Sequence, residues 1–279
     1  MTATSFPVSL CPTGMVPKKG DNPNVPISAQ EIIEDVKRCH EIGITSVHIH
    51  ARREDDTPAW EKFYFEKIVS GIRSFNENIV ICVTTSGRDV QGIEKRSDVL
   101  TLSSECKPDM ASLTLSSMNF LNQASVNDPG SIQTLAKMML DLEIKPELEI
   151  FDMGMINYAN YLIKKNLLKP PYVINLLLGN VSGLQPGFLD LGLALERIPK
   201  PSIHLVAGLG SFQRQSNILG ILSDGGVRVG LEDNIFIDHE NKKLASNIEL
   251  LQGIQEIATV LGKKIMTGQE FKLTYLSRL

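Results

Sequence analysis

Ile44-Thr45-Ser46-Val47-His48-Ile49-His50-Ala51-Arg52 is an apolar run that carries two histidines one residue apart. Side chains on a β-strand alternate between its faces. His48 and His50 therefore share a face, about 6–7 Å apart along the strand by the usual rise per residue. Ile49 points the other way, into a hydrophobic layer. Neutral imidazole is the commonest metal ligand. Two imidazoles at the C-terminal end of one strand point to a divalent metal. The competing reading is a pair of buried histidines satisfied by backbone groups.

Working outward, a helix precedes this strand. Ile27-Ser28-Ala29-Gln30-Glu31 opens it, with Ser28 as cap and Glu31 completing a capping box. Ile32, Ile33, Val36 and Cys39 or His40 then mark one helical face. The same alternation runs through the whole chain. Strands are expected near Val8–Pro12, Ser46–Ala51, Ile79–Thr84, Met110–Leu113, Glu147–Phe151, Val173–Leu178, Ile203–Ala207 and Val227–Gly230. Helical patterns fit Glu61–Phe75, Pro129–Leu142, Ile156–Lys165, Phe188–Glu196, Ser211–Leu222 and Ala245–Leu261. The connections are too long for hairpins, so the strands are expected to be parallel with crossover helices. Some eight such units match a single-domain α/β fold, a (β/α)8 TIM barrel spanning residues 1–279. An open doubly wound sheet is the alternative, but no glycine-rich dinucleotide fingerprint follows the first strand.

The chain has 279 residues, 42% of them hydrophobic, and a formal net charge of −4. Nothing in that balance attracts nucleic acid or an acidic membrane surface in bulk. No apolar run approaches the length of a membrane span. Met1–Phe6 lacks a positive cluster followed by an apolar stretch, so no secretory signal is expected. Cys11, Cys39, Cys82 and Cys106 lack metal-type spacing and read as free thiols of a reducing compartment. A soluble cytoplasmic protein is expected.

In a barrel of this kind the active site lies at the C-terminal ends of the strands. The first strand ends at Thr13-Gly14, followed by Lys18-Lys19. The second brings His48, His50 and Arg52. The third ends at Thr84-Thr85-Ser86-Gly87-Arg88 and the fourth carries Ser112 and Thr114. Glu147, Glu149 and Asp152 follow on the fifth, then Gly179-Asn180 and Gly208-Leu209-Gly210-Ser211. The eighth gives Arg228, Glu232, Asp233 and Asn234. Two imidazoles and one carboxylate make a metal face with positions left for substrate. Glu232 is the expected third ligand, and Asp233 beside it is left free as a base. Arg228 can bind a carboxylate or orient the acidic residues. Read blandly, Glu232-Asp233 is a solvated loop pair, and Lys18-Lys19 and Lys164-Lys165 are solvated surface. His40 and His239 read as structural or exposed, and His204 lies at the wrong end of the barrel for catalysis.

These residues resemble a known pattern, that of the beta-keto acid cleavage enzyme family. The resemblance runs nearly end to end. It includes Thr13-Gly14, Asn22-Pro23-Asn24-Val25-Pro26-Ile27, His48-Ile49-His50-Ala51-Arg52 and Lys107–Leu113. It continues through Asn119-Phe120, Pro146-Glu147-Leu148-Glu149, Gly154-Met155 and Val206–Gly210. Val227-Arg228-Val229-Gly230-Leu231-Glu232-Asp233-Asn234-Ile235-Phe236 is, with the two histidines, its most specific part. The resemblance implies a zinc-bearing barrel that forms homo-oligomers, dimers or tetramers. It implies Claisen/retro-Claisen acyl exchange between a β-keto acid and acetyl-CoA, giving acetoacetate and a new acyl-CoA. His48, His50 and Glu232 would be the zinc ligands, Asp233 the base and Arg228 its partner. Glu149 would belong to the same polar network. Thr84 stands where the family commonly has a serine near the substrate carboxylate, and Ser112 and Thr114 fall at substrate-contact positions.

The chain also departs from that pattern. Members acting on a 5-amino substrate carry a glutamate shortly after the Thr-Gly turn, where Val16 stands here. The family's Ser-Thr-Gly-Gly becomes Thr84-Thr85-Ser86-Gly87, followed by Arg88, and the acidic stretch after the histidines lacks the usual glycine. Val16 offers no charge to an amine, and burying an unpaired ammonium is costly. Arg88 could instead receive a carboxylate, although a solvated loop cation is the plain alternative. A neutral or anionic β-keto acid is therefore expected as substrate. Two other functions compete. A metal-dependent hydrolase or lyase on the same barrel would carry its His-x-His on another strand. A catalytically silent metal- or metabolite-binding relative would not need Asp233 and Arg228.

Overall fold

The computed structural model describes residues 5–276. The start of the Met1–Phe6 segment and the last three residues of the expected 1–279 span lie outside the described residues. Eight parallel strands close a barrel in chain order. They are β1 (Val8–Leu10), β2 (Ser46–Ile49), β3 (Val80–Val83), β4 (Met110–Thr114), β5 (Lys145–Ile150), β6 (Tyr172–Leu178), β7 (Ser202–Gly208) and β8 (Gly226–Val229). Closure pairs β8 with β1 through Val227 with Val8, Arg228 with Ser9 and Val229 with Leu10. The open doubly wound alternative is thereby excluded.

Helices follow the strands: α1 (Ala29–Ile42), α2 (Lys62–Phe75), the short α3 (Ile93–Ser97), α4 (Pro129–Asp141), α5 (Met153–Lys164), α6 (Phe188–Arg197), α7 (Gln213–Leu222) and α8 (Asn247–Val260). The capping box read at Ser28 and Glu31 is present at α1, and a second, Ser246 with Glu249, opens α8. Strand-facing residues such as Ile32, Val36 and Ile49 are fully buried in the layer between helices and barrel. Burying each such side chain contributes about 1.5–3 kcal/mol.

Four helix starts differ from the sequence reading: α2 and α8 begin one and two residues late, at Lys62 and Asn247, and α5 and α7 also differ. α5 begins at Met153, three residues before Ile156, because Asp152 accepts a hydrogen bond from the Met155 N–H at 3.0 Å and caps the first turn. Asp152 is therefore a cap and not a strand-end site residue. Ser211 lies in a short 3-10 turn, and α7 proper starts at Gln213. Among the described residues no helix is long and apolar enough to cross a membrane.

Candidate active site

β2 ends at Ile49, and the chain breaks from the barrel at His50 before Ala51-Arg52 pair with Pro58-Ala59. Arg52 anchors that departure. Its guanidinium donates to Gly14 O and Pro17 O, both at 2.9 Å, and pairs with Asp56 at 2.9 Å. It is a structural tie to the loop after β1 and does not line the mouth.

The two imidazoles lean together far more closely than their strand spacing suggests. His48 Nε2 and His50 Nε2 lie 3.3 Å apart, and His50 Nε2 lies 3.3 Å from Glu232 Oε1. His48 sits beneath His50, almost fully buried. On its far side His48 Nδ1 meets Glu147 Oε2 at 3.2 Å. That bond leaves Nε2 as the nitrogen turned toward His50 and Glu232, the arrangement by which a carboxylate orients a metal-ligating histidine. Glu232 Oε2 is buried without a hydrogen-bond partner. Two ring nitrogens and an orphaned carboxylate oxygen, all converging, suit a divalent cation better than they suit one another. The ligand atoms of His48, His50 and Glu232 lie within 4.8 Å of one another, as do those of His48, Cys82 and Glu147 one layer deeper. Both groupings use the His48 ring, and His50 and Glu232 of the first also line the open cavity.

Backbone geometry fixes Glu232. Gly14 has φ +68°, and an added Cβ there would lie 2.9 Å from Glu232 Cβ. Gly230 has φ +152° and turns against Cys11, whose carbonyl carbon a Cβ would approach to 2.6 Å. Between them the Glu232 N–H donates to Cys11 O at 3.1 Å. Buried amides complete the support. Asn247 Oδ1 accepts from the Leu231 N–H at 2.9 Å, and Gln213 Nε2 donates to Gly230 O at 2.9 Å.

Arg228 is buried at the centre of an acidic cluster. It donates to Asp233 through Nε at 2.8 Å and Nη2 at 3.1 Å, and to Glu232 Oε1 at 2.7 Å. Its Nη1 lies 3.6 Å from Glu149 Oε1. Burial disfavours its charge, but Asp233, Cys11 and Glu232 hold its pKa well above the usual value. The two neighbouring carboxyls diverge. Burial raises Glu232, yet Arg228, His50 and His48 hold it well below the usual range. Burial and the nearby Glu232 charge push Asp233 up against the pull of Arg228. Such a split is how one site separates a fixed anion from a proton acceptor. Burial also raises Glu149, which accepts from Thr114 Oγ1 at 2.5 Å.

A cavity of about 820 Å³ opens over this cluster. His50, Thr84, Ser86, Arg88, Thr114, Glu149, Arg228, Glu232 and Asp233 reach it, with Val16 at its half-exposed edge. Two residues expected to contact substrate do not line it. Ser112 is almost fully buried, accepts from the Thr85 N–H at 3.2 Å, and takes the Thr85 hydroxyl on its carbonyl at 2.6 Å. Gly87 packs against Val126 O and the Arg96 guanidinium, where a Cβ would come within 2.6 and 2.8 Å. Both serve the shape of the loop after β3. Lys19 pairs with Glu31 at 2.8 Å, and His204 meets Ser223 at 2.9 Å, away from the cavity.

The sequence reading gave Glu147 no role, although the alternation that pairs His48 with His50 also places Glu147 and Glu149 on one face. Asn247 and Gln213 carry no local signal. They are amides in helices, and only burial gives them work.

The family model described as beta-keto acid cleavage enzyme matches residues 7–275 of the chain. The 3-keto-5-aminohexanoate cleavage enzyme of Fusobacterium nucleatum subsp. nucleatum is 33% identical, over 90% of this chain and 90% of that one. The 3-oxoadipate:acetyl-CoA acetyltransferase of Cupriavidus necator is 32% identical, over 93% and 90%. The 3-dehydrocarnitine:acetyl-CoA trimethylamine transferase of Rhizobium meliloti is 25% identical, over 89% of each chain. Among solved structures, that of apo ObcA superposes with a TM-score of 0.76 at 18% identity. It covers 91% of this chain, and this chain spans 65% of its length; the likeness is one of fold.

Proposed function

The chain belongs to the beta-keto acid cleavage enzyme family and is an acyltransferase, and on that premise we propose that it exchanges acyl groups between a β-keto acid and acetyl-CoA at the cavity floor. The observation that carries the reading is the buried convergence of His48, His50 and Glu232 beside Asp233, the carboxyl pushed upward by burial. His48, His50 and Glu232 would hold one divalent metal, zinc in our reading. When bound it supplies Lewis-acid stabilisation of an enolate.

The chain's own groups do the rest. Asp233 takes a proton from the carbon between keto and carboxylate groups, within a charged network that Arg228 neutralises. Thr84 and Thr114 offer hydroxyls beside the substrate. The resulting carbanion attacks the acetyl thioester carbon, and the CoA thiolate leaves. That thiolate then adds to the original keto carbon, the bond to the methylene carbon breaks, and the methylene recovers its proton from Asp233. Acetoacetate and a new acyl-CoA result, with atoms and charge balanced. Exposed Phe188 and Leu189 at the start of α6 support the accompanying reading of a homo-oligomer.

Purified protein incubated with acetyl-CoA and a panel of β-keto acids, scored for acetoacetate, tests the reaction. Metal analysis beside His48→Ala and Glu232→Gln tests the ligands. Turnover with about one metal per chain, lost in both variants, is expected. Equal metal content in all three proteins overturns the ligand assignment, and absence of acetoacetate from every keto acid overturns the reaction.

A further inference from the structure

Two arginines line the cavity, Arg88 and Arg228, and two more, Arg52 and Arg96, stand behind it; all but Arg88 are engaged. Arg228 holds three carboxylates. Arg52 holds Asp56 and two carbonyls. Arg96, behind the wall, donates to Thr85 O and Asn127 Oδ1 at 2.9 and 2.7 Å. Arg88 differs. It lines the cavity, no carboxylate stands within ion-pair distance of it among the described residues, and its Nε is buried without a hydrogen-bond partner.

Its guanidinium is nevertheless held in place. The carbon of that group lies 3.9 Å from the centroid of the Phe120 ring. Phe120 in turn meets Phe151 edge-on at 5.7 Å, and Phe151 belongs to the buried core. A solvated loop cation has neither a stacked platform nor a buried, orphaned donor. Stacking fixes the guanidinium plane while its N–H edge stays open to a planar anion. Asp89 and Glu232 act on Arg88 through their charges without forming an ion pair with it, and Glu149, Glu232 and Asp233 are paired with Arg228, so a bound anion on Arg88 is left for the ligand to supply.

We infer that Arg88 is the receptor for a second, distal carboxylate, so that the substrate is a β-keto dicarboxylate whose acyl product keeps a free carboxylate. The inference rests on the reaction proposed above, within which we give the carboxylate next to the reacting carbon to the metal face and Thr84. Val16 agrees with it, since it gives a cationic tail no partner. The overall exchange is unchanged: the bond between methylene and keto carbon breaks, a bond from methylene to the acetyl carbon forms, and CoA passes to the carboxylated acyl group.

3-Oxoadipate and 3-oxohexanoate differ only in a terminal carboxylate or methyl group and make the decisive pair. Each is assayed with acetyl-CoA against the wild type, Arg88→Met and Arg88→Lys. Binding of each keto acid is also read by calorimetry without acetyl-CoA. The wild type is expected to prefer 3-oxoadipate. Arg88→Met should lower the 3-oxoadipate to 3-oxohexanoate ratio of kcat/KM, and of binding constants, by about 30-fold, the scale of a charged two-pronged hydrogen bond. Arg88→Lys should recover part of it. Equal losses on both keto acids would mean that Arg88 holds the shared carboxylate or shapes the loop. A raised KM for acetyl-CoA with an unchanged ratio would mean that it holds a CoA phosphate. Either result overturns the inference. No turnover by the wild type defeats the proposed reaction, and the calorimetric ratio alone then decides Arg88.

Discussion

Gly14→Ala should damage the metal face from a residue that touches neither metal nor substrate. Gly14 has φ +68°, and its missing Cβ would sit 2.9 Å from Glu232 Cβ and 3.1 Å from Glu232 Cα. The left-handed backbone costs an alanine about 1–2 kcal/mol, and overpacking adds about 1–3 kcal/mol. Reduced freedom of the unfolded chain returns less than about 1 kcal/mol. A net loss near 2.5 kcal/mol lowers the melting temperature of a chain of 279 residues by roughly 4–5 °C. The larger effect is on Glu232. Carbon atoms rest about 3.5–4.0 Å apart, and Glu232 Cγ stands even nearer to the added Cβ than Glu232 Cβ does, so Glu232 must retreat by about 1 Å or more. Its backbone, tied to Cys11 O at 3.1 Å, cannot move alone. A misplacement near 1 Å costs about 100-fold in rate. The assay is acetoacetate release together with metal retention against a chelator. Gly20→Ala is the control, because a Cβ there meets nothing within 4 Å. Wild-type turnover and metal retention in Gly14→Ala would refute the packing argument.

Other predictions follow from the same geometry. Asp233→Asn should keep the metal and lose about 100-fold or more in kcat, since an amide cannot accept the proton; normal turnover with normal metal removes Asp233 from the chemistry. Glu147→Gln should weaken metal binding by about 10–100-fold through His48, read by chelator competition; unchanged affinity would make Glu147 merely a packed residue. His204 is pushed down to about 4, chiefly by burial. Its unfolded value is higher, so the unfolded chain binds the proton first, and stability falls as pH drops from about 6.5 to 4. The loss is about 2.5 kcal/mol at pH 4.5. Urea unfolding at pH 7 and 4.5 should show a smaller pH loss in His204→Gln, and equal losses would sink the assignment.

Sequence by itself determined the features that neighbours along the chain encode. Alternation within β2 put His48 and His50 on one face and Ile49 in the core, and Ser28 with Glu31 marked where α1 starts. Recurrence of strand and helix gave parallel strands, and with them the end at which polar residues gather. What it left open depends on residues distant in sequence. The lean of the two imidazoles to 3.3 Å, instead of their spacing along the strand, follows from Glu147 on β5 holding the far nitrogen of His48. Glu232 reaches His50 only because β8 closes against β1 and Gly14 leaves room for it. Ser112 and Gly87 look like site residues in the sequence, yet β4 and Val126 bury them. Sequence leaves Arg88 open between carboxylate receptor and solvated loop cation, and only the fold puts Phe120, beyond β4, beneath it. Local pattern decides which face a side chain takes; the closed barrel decides what it meets there, because only closure brings the strand ends together.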